Sequence, residues 1–200
     1  GRRIFSKSYN DKVLKLFFIN YYGEKKYENF KHKLKEVNYE LLKCSYCSFV
    51  WQKFSPDENL SVELYENIIN HDESLKKSKL KFIKQKKSYY KEIKKVIKNF
   101  DLEKINILDF GAGWGHWLMS GPDLNYKPYA FELSSIKIEF LSSNKIKVLN
   151  FEKLKSYENF FHYIRLDQVL EHLDEPNDAL NIIKRLGVKN CIFFISVPNG

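Results

Sequence analysis

Residues Ile107–Gly115 read Ile-Leu-Asp-Phe-Gly-Ala-Gly-Trp-Gly, an apolar run closed by an acid and three alternating glycines. The run has the character of a buried strand, and glycines at its end let the backbone turn sharply and let a ligand approach where a Cβ would collide. Nicotinamide, flavin and nucleotide sites all use such a loop, so by itself it is a weak signal. Two details narrow it. The third position of the dinucleotide fingerprint falls on His116, not glycine, and Asp109 stands two places before the first glycine. About twenty residues further on, Tyr129-Ala-Phe-Glu-Leu-Ser134 ends a second apolar run in Glu132, the spacing of a carboxylate that receives ribose hydroxyls. An isolated acid would read as an exposed strand end; Glu132 follows a glycine loop at the right distance.

A third chemistry-bearing stretch is Phe161-His-Tyr-Ile-Arg-Leu-Asp-Gln-Val-Leu-Glu-His-Leu-Asp-Glu-Pro176. Asp167 and Gln168 stand at the end of its apolar part, and Glu171 and His172 follow. His172 is the best general-base candidate, because an imidazole titrates near neutrality; a helix-start histidine held by hydrogen bonds is the other reading. Separately, Cys44-Ser-Tyr-Cys47 places two thiols two residues apart, the bite of one tetrahedral zinc, which needs two further ligands. Two free thiols in a hairpin is the alternative.

The Asp109–Gly115 loop, Glu132 and the Val169-Leu-Glu-His-Leu173 segment with its acidic-Pro turn together resemble the class I S-adenosylmethionine (SAM)-dependent methyltransferases, of the type 11, 12 and 23 kinds. So does the strand Cys191–Asn199 with its Pro-Asn turn. The resemblance covers Ile105–Asn199 well and Tyr39–Tyr65 loosely. It implies SAM as cofactor, held by Asp109, Gly111, Ala112, Gly113, Gly115, Glu132, Leu133 and the Asn150–Phe151 turn. It also implies that Asp167 and Gln168 face the methionyl and sulfonium part, and that Glu171 and His172 are catalytic on the acceptor side. SAM has no phosphate, so the loop must make room for a methionyl group, with helix-end N–H groups available to its carboxylate. Two departures limit the transfer. His162 stands where those families carry an acid, and Gln168 replaces the first acid of the Glu-x-x-Glu-His arrangement that ubiquinone-pathway O-methyltransferases associate with a metal. The catalytic site is therefore read without a metal. The Cys44/Cys47 pair, the Phe54-Ser-Pro-Asp-Glu-Asn-Leu segment and Leu64-Tyr resemble the half of a zinc ribbon that precedes the SAM domain in methyltransferases of sugar and secondary metabolism. That implies a structural zinc if a second Cys pair lies outside the present chain.

The elements that must position these residues alternate from Ile105 onward. Strands are expected at Ile105–Phe110, Lys127–Phe131, Lys145–Leu149, Phe160–Leu166 and Asn190–Val197. Helices are expected near Gly115, across Ser134–Ser143 capped by Ser134 or Ser135, and across Asn177–Leu186 after Pro176. The fold class is α/β: a Rossmann-like, doubly wound, mainly parallel sheet whose ligands bind at the strands' carboxyl ends. The class I fold adds two further strands, so the chain reads as truncated after strand five: a fragment, a cloning boundary or a naturally short form. Upstream, Leu75–Phe100 is a lysine-rich helix with Leu80, Phe82, Ile83, Tyr90, Ile93 and Ile97 as inward candidates. Tyr39–Leu42 and Phe49–Trp51 make a hairpin around the Cys-x-x-Cys turn. The expected division is 1–72 as a hairpin and helical appendage, 73–100 as a linking helix and 101–200 as the SAM-binding domain. Arg2–Asn38 carries no usable motif; Phe17, Phe18, Tyr21, Tyr22 and Tyr27 are assigned to core.

With 200 residues, 44% of them hydrophobic, the chain can bury a substantial core, which excludes global disorder. No apolar run reaches the ~18 residues of a membrane span, no signal-peptide layout opens the chain, and three cysteines are too few for a disulfide framework. A cytoplasmic protein with no membrane partner is expected. The net charge of +9 invites nucleic acid as partner, but the lysines of Leu75–Lys98 alternate with apolar residues as on the wet face of a helix. The expected function is SAM-dependent methyl transfer to a small-molecule acceptor, a sugar or sugar nucleotide by analogy. RNA as the acceptor, and a noncatalytic scaffold that kept the SAM fold, are the alternatives. An RNA enzyme predicts a contiguous basic surface beside the cofactor cleft, and a scaffold predicts an occluded one.

Overall fold

The computed structural model of the protein describes residues 1–34, 38–55, 60, 63, 68–173 and 175–198. Expectations placed on Pro56–Asn59, Leu64, Tyr65, Asp174 and Asn199 lie outside these residues. Contacts divide the chain into two compact units, Gly1–Asn70 and His71–Asn199, which groups the lysine-rich helix with the sheet that follows it.

The first unit is a three-stranded antiparallel sheet in the order β1 (Arg2–Ser8), β2 (Asn38–Lys43), β3 (Val50–Gln52). The β2–β3 hairpin was legible, but β1 was not, because Arg2–Ser8 is exposed at nearly every position and shows no apolar alternation. Helices α1 (Lys12–Tyr22) and α2 (Glu24–Phe30) follow β1. Asp11 caps α1 by accepting from the Val13 and Leu14 amides. Tyr27, Phe30 and Ile68 form this unit's small core, with Phe18 and Tyr22 packed against it. Phe17 and Tyr21 are 58% and 71% exposed, which corrects their assignment to core: they lie on the outer side of α1.

The second unit is a five-stranded sheet, every neighbouring pair parallel, in the order β6-β5-β4-β7-β8. Its strands are β4 (Ile105–Phe110), β5 (Tyr126–Phe131), β6 (Lys147–Leu149), β7 (Phe161–Asp167) and β8 (Gly187–Ser196). This is the Rossmann-like arrangement expected of a class I methyltransferase. Helices α3 (His71–Ile97), α4 (Ser135–Ser143), α5 (Phe151–Leu154) and α6 (Pro176–Leu186) accompany it. The pleat sorts each strand into two faces. Ile105 and Ile107 pack with Tyr163, Trp117 and Ile93 of α3, whereas Leu108 and Phe110 pack with Ile164, Leu166 and Ile183 of α6.

Three local expectations are corrected. Gly115 opens no helix: Gly113 and Gly115 both hold left-handed φ, at 57° and 65°, and Gly121–Pro122 follows too soon for a helix to propagate, so residues 111–120 form successive turns. Ser134 occupies the N-cap of α4 without a side-chain cap bond. Leu80 and Ile83 of α3 are 54% and 73% exposed; the inward positions are Ile93 and Val96, with Phe82, Tyr90 and Ile97 half-buried.

Candidate cofactor-binding site

Alternation along β4 puts Asp109 on the same face as Ile105 and Ile107, and alternation along β7 puts Arg165 and Asp167 on the face of Tyr163. The register pairs Asp109 with Arg165 directly. Both side chains are buried, and Arg165 donates to Asp109 Oδ1 at 3.5 Å and to Asp167 Oδ2 at 2.6 Å, with Glu92 of α3 at 3.8 Å from its Nε. The guanidinium is surrounded by the rings of Trp117, Phe194 and Tyr89 at 5.0, 5.3 and 6.0 Å. Burial pushes the Asp109 carboxyl up to about 6, against the opposing pull of Arg165. Burial works against the Arg165 charge, but Asp109, Asp167 and Glu92 outweigh it and raise its pKa. Tyr163 donates to Glu92 at 2.8 Å, and burial raises its phenol pKa well above the usual value.

Beyond Asp109 the chain turns through Gly111, Gly113 and Gly115, all at positive φ. Gly111 and Ala112 donate to the Phe131 carbonyl at 2.8 and 3.1 Å, which stitches the loop to β5. A Cβ on Gly111 would stand 2.5 Å from Val169 Cγ2, whereas one on Gly113 would meet nothing within 4 Å. Gly113 therefore leaves open space, and Gly111 permits close packing. The Gly113 amide donates to Glu132 Oε2 at 2.8 Å, while Oε1 accepts from the Leu133 and Ser134 amides at 2.9 and 3.0 Å. Glu132 thus braces the glycine loop against the end of β5 as well as standing where the ribose-binding acid is expected.

A cavity of about 290 Å³ opens over this loop. Of the expected cofactor residues it is lined by Asp109, Gly111, Ala112, Gly113, Gly115 and Asp167; Glu132 reaches it through its bond to Gly113. The structure does not bring the remainder to its wall. Asn150 caps α5 by accepting from the Lys153 amide at 2.9 Å, Leu133 is 69% exposed, and Phe151 packs edge-on against Phe131. Gln168, at φ 58°, ties the end of β7 to β8 through its amide on the Ser196 carbonyl and its side chain on Ser196 Oγ. Glu171 and His172 lie on a short 3-10 turn with His172 Nε2 4.0 Å from Glu171 Oε1 and its side chain largely exposed.

Several lining residues had no place in the sequence reading. Ser74, Ser78, Phe82 and Tyr89 come from one side of α3, spaced at helical intervals, and Trp114, His116, Trp117 and Lys137 complete the wall. Ser78 Oγ lies 2.7 Å from His116 Nδ1, Phe82 stacks on the His116 ring at 5.1 Å, and Trp114 donates to Ser74 Oγ at 3.1 Å. Burial, followed by the charge of Lys79, lowers the His116 pKa. The residue that breaks the fingerprint thus joins α3 to the loop. Arg165 carried one visible signal, a charge inside the apolar run Tyr163–Leu166.

The left-handed glycine turn, the open face at Gly113 and the acids Asp109 and Asp167 fit a small organic ligand with a cationic end. In the first unit, Cys44 and Cys47 flank the β2–β3 turn, Cys44 half-buried and Cys47 exposed. The backbone N–H groups of Cys47 and Tyr46 hold the Cys44 thiol below its usual range. Among the described residues no group of three or more His, Cys, Asp or Glu side chains is placed to hold a metal ion, and no helix is long and apolar enough to cross a membrane.

The family model described as "Methyltransferase domain" matches residues 82–200, more than half of the chain. No curated protein sequence matches. Among solved structures, a putative SAM-dependent methyltransferase from Methanococcus maripaludis is 16% identical, with 62% of each chain covered and a TM-score of 0.46. A SAM-dependent methyltransferase from Aquifex aeolicus is 25% identical over 48% of this chain and 57% of its own, with a TM-score of 0.36. A putative sarcosine dimethylglycine methyltransferase from Galdieria sulphuraria is 11% identical over 56% of this chain and 45% of its own, with a TM-score of 0.46. The chain spans less than two thirds of the length of each of these three.

Proposed function

From the premise that this chain belongs to the methyltransferase-domain family, we propose that it transfers a methyl group from SAM to a small-molecule acceptor. The observation that carries the reading is the left-handed glycine turn at the carboxyl end of the central strand, opening on a cavity lined by the buried Asp109 and the half-buried Asp167. SAM supplies an electrophilic methyl group on a sulfonium, so the protein's task is alignment and, for a neutral acceptor, removal of a proton. In this reading Gly111 and Gly113 keep the loop close to the donor, Glu132 holds the loop and faces the ribose, and Asp109 and Asp167 face the cationic end. Leu133, Asn150, Phe151 and Gln168 shape the surroundings through the turns they fix. His172, exposed beside Glu171, takes the acceptor's proton as the new bond to the methyl carbon forms and the carbon–sulfur bond breaks. A sugar or sugar nucleotide as acceptor rests on the half-ribbon analogy alone. The same analogy assigns Cys44 and Cys47 to a structural zinc completed by a second Cys pair outside the present chain; a cadmium–thiolate absorption band in a longer chain that carries such a pair, lost in Cys44→Ser, would support it, and no band there would remove it. Free cysteines at 44, 47 and 191 support a reducing compartment, the cytoplasm.

RNA as acceptor has one observation in its favour. Helix α3 lines the cavity and carries ten lysines against three acids, so it holds seven of the nine net positive charges. Affinity for single-stranded RNA falling steeply with salt, and falling again when Lys87, Lys91 and Lys94 become glutamate, would favour this acceptor. The noncatalytic reading required an occluded cleft, and the open cavity counts against it.

Titration calorimetry with SAM and with S-adenosylhomocysteine tests the cofactor assignment. Micromolar binding that weakens at least about tenfold in Glu132→Ala is expected, a change of about 1.4 kcal/mol. No binding of either compound by the intact protein would overturn it.

A further inference from the structure

The buried guanidinium at the floor of the cavity has more carboxylates around it than it can neutralise. Asp109 and Asp167 reach it from the sheet and Glu92 from α3, with Tyr89 and Tyr163 beside them and Lys81, Lys137 and His116 around the rim. Arg165 is 7% exposed, and its Nε has no hydrogen-bond partner among the described residues, the Glu92 oxygen standing off at 3.8 Å. A purely structural ion pair in so enclosed a place satisfies its donors or is replaced by apolar packing. Here one buried donor is left open, and an excess of acid is retained around a guanidinium whose residue lines a cavity.

We propose that Arg165 is the positioning residue of this pocket: it keeps Asp109 charged and aims Asp167, so that the two carboxylates receive a cationic group of the ligand. The inference rests on the SAM reading, in which that group is the ammonium of the methionyl end. Without a neighbouring cation, a fully enclosed Asp109 would take up a proton and offer a donor where an acceptor is needed. The arrangement therefore predicts discrimination between ligands that differ only in the amino-acid end.

S-adenosylhomocysteine and 5′-methylthioadenosine, which share the nucleoside thioether but differ in that end, provide the test. Their binding is measured by calorimetry from about pH 5 to 8, the window that brackets the Asp109 carboxyl. In the unaltered protein, affinity for S-adenosylhomocysteine should fall as pH drops through about 6, where Asp109 protonates, while affinity for 5′-methylthioadenosine stays level. Arg165→Met should move that midpoint up by about one pH unit or more and weaken S-adenosylhomocysteine roughly tenfold at pH 7, with 5′-methylthioadenosine within about twofold. Arg165→Lys should restore most of the loss. Glu92→Gln should move the midpoint the other way, because Glu92 disfavours the charged form of Asp109, and it covers the case in which Arg165→Met does not fold. A midpoint that stays in place in these variants, or equal weakening of both ligands, overturns the role of Arg165 and leaves the SAM reading standing. Failure of the unaltered protein to bind S-adenosylhomocysteine at any pH overturns both.

Discussion

The two ends of the parallel sheet treat enclosed and half-buried polar groups in opposite ways. At the amino end of β7, His162 accepts from the Asn106 amide at 3.1 Å through Nδ1, the Asn106 side chain donates to the Phe160 carbonyl at 3.2 Å, and Phe100 closes over the imidazole edge-on. Donor meets acceptor there, and burial lowers the histidine's pKa, which favours its neutral form. At the carboxyl end, three residues along the same strand, one guanidinium faces three carboxylates, and one of them has its pKa pushed up to about 6. Charge buried without full compensation costs stability, and chains keep such strain where a ligand will relieve it. The satisfied end serves the fold; the unsatisfied end is where the proposed site lies.

The largest effect that could break this contrast comes from the glycine loop. Gly111→Ala puts a Cβ 2.5 Å from Val169 at φ 78°, so the loop must shift or Val169 must move. Loss of S-adenosylhomocysteine binding by more than about a hundredfold and destabilisation of about 2–4 kcal/mol are expected, read by calorimetry and thermal melting. Gly113→Ala meets no protein atom and costs stability only through its left-handed backbone, about 1–2 kcal/mol, so the two variants should separate in thermal melting while both weaken binding. Binding unchanged in both would mean that the turn is mere connection.

Next in size is Asp109→Asn. A carboxyl whose folded pKa lies above its unfolded value weakens the fold increasingly as pH rises from about 4 to about 6, and the full cost is present at pH 7. Removing the charge should therefore raise stability at pH 7 by on the order of 1–3 kcal/mol, offset in part by the partner that Arg165 loses. Ligand affinity should drop at the same time. A variant both less stable and unchanged in binding would place Asp109 among the structural groups with His162.

How far the sequence disclosed this arrangement follows from the range of the interactions. The strand runs, the glycine loop and Glu132 were legible because local periodicity and short spacing encode them: Asp109 to Glu132 spans a single strand–turn–strand step. Arg165 and Glu92 were not, since their pairing depends on the register of β4 against β7 and on which side of α3 lies against the sheet. The same cause explains Leu80 and Ile83, whose apolar character suggested an inward face that the packing of Ile93 and Val96 assigns elsewhere. His162, read only as a departure from the family pattern, gained a meaning once its partner, Asn106, was placed beside it.

The smallest expected effect tests the satisfied end. His162→Ala removes the acceptor of the Asn106 amide and should cost about 1–2 kcal/mol, with ligand affinity unchanged. The pH dependence gives the sharper check. A histidine with its folded pKa below the unfolded value stabilises the fold above about 6.5, and that contribution is lost as pH falls from there toward the folded pKa, because only the unfolded chain binds the proton readily. The loss runs opposite to the Asp109 effect, which relieves the fold as acid is added below about 6. In the unaltered protein the two oppose each other and flatten the melting temperature between about pH 6 and 5; His162→Ala should expose the Asp109 branch as a relative gain in stability on acidification, and Asp109→Asn should expose the histidine branch as a relative loss.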